Sequence, residues 1–160
     1  MRKFLLILLF SLSSLSFAEY EFEKEKFKEN SICPELIGVW FTDVTVKNKF
    51  DGLKRDITRL ERKANGTAYL KGISIYFQSN EVSDWEFPVK WSCHEGWYVE
   101  SNEWGYTAFK LVSTGPGENV MHDDRNNLNA TTPITFSERN TLDMSDKFLQ
   151  KAPVKNFLGL

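Results

Sequence analysis

The chain has 160 residues, two cysteines and a formal net charge of −2. Mild acidity argues against nucleic acid or an anionic membrane surface as partner, because both require a basic patch. The length allows one domain around a single core.

Arg2 and Lys3 precede an apolar run, Phe4 to Phe10, and a Ser-rich stretch ending in Ser16-Phe17-Ala18. This is the layout of a secretory signal peptide, residues 1–18, cut after Ala18. The apolar run is too short for a membrane span, so the expectation is a mature chain without a transmembrane anchor, exported to the periplasm or secreted. Losing Arg2 and Lys3 with the leader takes its net charge to −4. Residues 19–32 form a charged leader in which the signs alternate, a solvated segment rather than a charge block. The domain itself is expected over 33–152, with a tail over 153–160. In an oxidising compartment Cys33 and Cys93 are expected to form a disulfide.

Val39 to Val46 reads as a strand, with Trp40, Thr42, Val44 and Val46 on one face. Asp51 to Ala64 is ambiguous. Leu53, Ile57, Leu60 and Ala64 recur at helical spacing, whereas Asn65-Gly66 is a hairpin turn that can also cap a helix. The favoured reading is a strand, Asp56 to Lys63, paired with Thr67 to Phe77, in which Gly72 marks a bulge. Trp85, Phe87, Val89, Trp91 and Cys93 then alternate with Glu86, Pro88, Lys90 and Ser92, the clearest strand of the chain, and Pro88 belongs at an edge or bulge. His94-Glu95-Gly96 reads as a three-residue hairpin loop, which sets Cys93 opposite Trp97 and Trp91 opposite Val99.

Further strands follow over Tyr106 to Ser113, Asn119 to His122 and Ile134 to Ser137, with Gly115-Pro116-Gly117 as a turn. Leu142, Met144, Phe148, Leu149 and Ala152 suit a short terminal helix that Pro153 stops. The fold class expected is therefore all-β, an antiparallel up-and-down barrel of about eight strands with a short C-terminal helix.

Gly38-Val39-Trp40 opens the first long strand after a short turn and precedes a series of hairpins. In this it resembles the lipocalin-like (calycin) family. The resemblance implies that Trp40 plugs the closed end of the barrel, with Gly38 before it and Arg139 as the basic partner. It also implies a ligand inside. A Thr-Asp-Tyr-like turn that the family carries is missing.

The expected inward set is Trp40, Ile73, Ile75, Trp85, Phe87, Val89, Trp91, Trp97, Phe109, Leu111 and Phe136. Of these, Trp85, Phe87, Trp91, Trp97 and Phe109 are the candidates to line a ligand site, if they do not simply fill the core. Trp104 and Tyr106, near a turn, are candidates for surface contact. His94 and His122 each lack a second histidine at ligand spacing, so no metal or other cofactor is expected. Cys93 and His94 point to opposite faces of a strand and make no catalytic pair.

The function expected is a non-enzymatic carrier of an apolar small molecule. The alternative is a protein-binding module, of inhibitor or immunity type, using Trp104, Tyr106, His94 and the loops over 113–131.

Overall fold

The structure, a computed structural model, describes residues 31–123, 128 and 130–160. The expected signal peptide, nearly all of the charged leader and half of the loop after His122 lie outside the described residues. Eight strands close into an antiparallel barrel in chain order. They are β1 (Gly38–Asn48), β2 (Gly52–Arg62), β3 (Thr67–Tyr76), β4 (Glu81–His94), β5 (Trp97–Asn102), β6 (Gly105–Gly115), β7 (Glu118–Asp123) and β8 (Ile134–Arg139). β8 returns to β1 through Phe41 opposite Arg139 and Thr42 opposite Glu138. The ambiguous segment is strand: β2 pairs with β1 along its whole length and with β3 through the Asn65-Gly66 turn. β-Branched and aromatic residues on β1 and β3 supply its neighbours, and closure removes the exposed edges an open sheet would leave.

A 3-10 turn, Pro34–Leu36, covers one end of the barrel. Leu36 is fully buried there, and the Trp40 indole N–H donates to its carbonyl at 3.0 Å. Gly38, at φ 126°, makes the bend between that turn and β1. The disulfide Cys33–Cys93 forms, with Cα atoms 5.9 Å apart, and ties the turn to the end of β4. Between them, the cross-link and Leu36 shut this end. Among the described residues no helix is long and apolar enough to cross a membrane.

Four local expectations are corrected. Gly72 makes no bulge: it pairs in register with Trp85, and a Cβ there would run into the Trp85 ring. The glycine leaves room for an indole to lie across β3. Ile73 and Ile75 fall on the outer face, where Ile73 and Ile57 pack with Leu149, Val154 and Leu158. The terminal helix, α1, spans Ala152–Leu158, so Pro153 starts it instead of stopping it. Proline suits the first turn, where the missing N–H has no intrahelical partner to lose. Arg55 fastens the preceding segment by bonding Asp43 at 2.7 Å and Asp146 at 2.6 Å.

The fourth correction matters most for the site. The β4–β5 loop has two residues, not three: His94 pairs with Trp97, and Cys93 with Tyr98. Glu95 and Gly96 both take positive φ, 50° and 77°, the conformation of a tight primed turn. A shift of one residue reverses every side chain of the strand. Trp97 and Val99 therefore leave the interior for an outer cluster with Ala108, and Tyr98 and Glu100 enter it.

Candidate functional site

At the closed end the interior holds an ion pair under aromatic rings. Arg62, at the end of β2, points inward opposite Ala68 and is buried. Its two terminal nitrogens donate to Glu138 of β8 at 2.9 and 2.6 Å, with both side chains almost wholly excluded from solvent. The guanidinium lies 4.1 Å from the Tyr98 ring centroid and 5.9 Å from that of Trp91. Burial disfavours its charge, but Glu138 and Tyr98 outweigh burial and hold it protonated. Tyr98, Phe109 and Phe136 continue the packing, with centroids 6.3 and 5.5 Å apart in turn. This half of the barrel is a filled core.

Glu100 sits one inward position above Tyr98 on β5 and accepts a hydrogen bond from the Tyr98 hydroxyl. Burial raises the Glu100 carboxyl above the ordinary range, against the lowering effects of that hydroxyl and of Arg62. Burial likewise raises Tyr98, which stays a phenol and serves as the donor. No ion pair reaches Glu100 among the described residues. A second polar chain lies nearer the other end: Trp85 Nε1 donates to Ser74 Oγ at 3.1 Å, Ser74 donates to Asp56 at 2.6 Å, and Lys54 pairs with Asp56 at 2.9 Å.

The mouth follows from unequal hairpins. β4 pairs with β3 from Glu81 onward but with β5 only from Lys90. The β3–β4 arm thus projects well past the short β5–β6 hairpin, and Pro88 lies where β4 lacks a β5 partner and needs no ladder donor on that side. Over the low wall a hollow of about 270 Å³ opens among Phe87, Val89, Glu100, Asn102, Trp104 and Tyr106. An outer groove of about 840 Å³ adjoins it, running past Trp91 to the Asn65–Thr67 turn, and the two share Phe87, Val89 and Trp104. Trp104 is 78% exposed.

Of the residues expected to line a site, Phe87 borders both hollows, while Trp85 stacks on Phe87 at 5.4 Å over Gly72. Trp91 and Phe109 belong to the filled core, Trp91 donating its N–H to the Lys63 carbonyl at 3.0 Å. Trp97 faces outward. Arg139 does not close the barrel: it shares the outward face of Phe41, is exposed, and pairs with Glu118 at 2.9 Å. The basic group of the interior is Arg62. His94 lies 3.3 Å from Glu95, His122 bonds Thr135 at 2.9 Å, and no group of potential metal ligands occurs among the described residues.

Arg62, Tyr98, Glu100 and Glu138 were the residues the sequence did not single out. A polar alternation, Tyr98-Glu100-Asn102, was the signal for the two on β5. It becomes an inward face only once the turn is known to hold two residues. No family model, curated protein or solved structure matches the chain.

Proposed function

We propose that the protein is an exported, non-enzymatic, lipocalin-like barrel that binds a small molecule with an apolar body at the mouth beside the β5–β6 hairpin. The observation that carries this is the hollow walled by Phe87, Val89, Trp104 and Tyr106, which joins an open surface to the barrel interior. Small-molecule sites are concave, mostly apolar, and oriented by few polar groups; barrel mouths are a common place for them. The filled closed end moves the ligand up from the deep barrel to this rim. Titration with a neutral apolar dye such as Nile red should give saturable binding and alter tryptophan emission, and Trp104→Ala should weaken it. Absence of binding by Nile red and by fatty acids alike would remove the carrier reading.

A second reading, a protein-binding module, is favoured by one further observation. Phe50, Phe77 and Trp104 stand exposed at the three hairpin ends on the mouth side of the barrel. Exposed rings at adjoining loop ends are available for contact with a partner. If Trp104→Ala and Phe50→Ala leave oligomeric state and every co-purifying protein unchanged, this reading loses its support.

A further inference from the structure

The charges that face the barrel interior are unbalanced. By register, Lys54 and Arg62 are the basic residues pointing inward among those described, and Asp56, Glu81, Glu100, Asp123 and Glu138 the acidic ones. Both basic groups are already engaged, Lys54 with Asp56 and Arg62 with Glu138. Glu100 is the charged residue that borders the hollow at the mouth, and Phe87, Val89, Trp104 and Tyr106 line the same hollow. Its carboxyl holds the Tyr98 hydroxyl on one oxygen. A part-buried carboxylate with no ion pair of its own carries a desolvation cost, and a cation delivered by a ligand offsets it. Aromatic walls favour the same charge, because ring faces attract ammonium groups.

We infer that the mouth takes an organic cation, an apolar body bearing a protonated amine whose ammonium meets Glu100 while the body lies against Phe87, Trp104 and Tyr106. This rests on the carrier reading and specifies its ligand class. Charge fixes the orientation: the ammonium points down toward Tyr98, and the body fills the mouth. An anionic ligand of the same shape meets Glu100 head-on. A neutral one gains the walls but leaves the carboxyl as it found it.

Three probes of one shape separate these cases: 2-phenylethylamine, 2-phenylethanol and phenylacetate, titrated into the full exported chain at neutral pH. Binding is read by calorimetry and by the indole N–H signal of Trp104. The amine should bind about tenfold or more tighter than the alcohol, the increment of a charge-assisted hydrogen bond, and phenylacetate weakest. Glu100→Gln should abolish the preference for the amine while leaving the alcohol unchanged, and Trp104→Ala should weaken amine and alcohol alike. Equal affinities for amine and alcohol, or an amine preference that survives Glu100→Gln, would overturn the inference; if Nile red still binds, the carrier reading stands. Failure of Nile red, fatty acids and all three probes brings both down. Because Trp104 is an exposed tip residue, its variant tests the mouth even if the Glu100 variant misfolds.

Discussion

Glu138→Gln tests whether the interior ion pair is desolvated. Arg62 donates two hydrogen bonds to Glu138, at 2.9 and 2.6 Å, with side-chain exposures of 0% and 3%. The substitution preserves shape and removes the charge, leaving a guanidinium buried beneath Tyr98 and Trp91. Stranding one partner of a buried pair costs about 3–5 kcal/mol. For a domain of this size that lowers the melting midpoint by roughly 10–20 °C. Replacing both partners, as Arg62→Met with Glu138→Leu, removes the desolvated charge along with its counter-charge and should restore most of the loss. Urea unfolding followed by tryptophan emission, with the disulfide intact, measures Glu138→Gln and the four corners of the cycle, which are wild type, Arg62→Met, Glu138→Leu and the double variant. Arg139→Ala is the control: its partner Glu118 is exposed, and the midpoint should not move measurably. A Glu138→Gln loss below about 1 kcal/mol, or a double variant as damaged as the two singles combined, refutes the reasoning.

Glu100 should make the empty barrel less stable as pH rises. Its folded carboxyl is held above the ordinary range by burial, so in that window the folded state keeps a proton that the unfolded state has lost. Stability therefore falls as pH rises through the folded value, and Glu100→Gln should flatten the slope and raise the midpoint at neutral pH. Amine affinity should run the opposite way, declining as pH falls through that same raised value; a flat profile across the acid range would argue against Glu100 as the contact. Reducing Cys33–Cys93, which spans 60 residues, should cost about 4 kcal/mol in the chain-entropy account, read as a shift in urea midpoint with and without reductant. Gly72→Ala drives a methyl into the Trp85 ring and should cost about 1–3 kcal/mol, with Trp85 emission shifted to the red as its bond to Ser74 is lost. An unaltered emission spectrum would mean that the ring is not held over the glycine.

Much of the barrel was legible because alternation is a local signal. Trp40, Thr42, Val44 and Val46 read as one face from spacing alone, as did Trp85, Phe87, Val89, Trp91 and Cys93, and both faces point inward. The Asn65-Gly66 and Gly115-Pro116-Gly117 turns were legible because only a few residues tolerate their backbone geometry. The two cysteines named the cross-link, since two thiols in one chain leave each a single intramolecular partner.

Elsewhere local signal did not suffice. Gly96 fits a two-residue turn and a three-residue loop equally well, and the choice between them decides whether Trp97 or Tyr98 is inside. The pairing of β4 with β5 made that choice, since sheet register is cooperative over the whole ladder. Ile73 carries the composition of a core residue, and it is one, but in the second core under α1, which exists only because residues 142–158 fold back onto the outside of the barrel. Glu100 and Glu138 look like ordinary surface acids in the sequence. Closure brings Glu138 to Arg62 across 76 residues and leaves Glu100 inside at the mouth. Spacing and turn chemistry were enough to specify an alternating, turn-punctuated, disulfide-tied β chain. Tertiary structure alone decided which charges are buried, because burial depends on register and closure rather than on any residue's own neighbours.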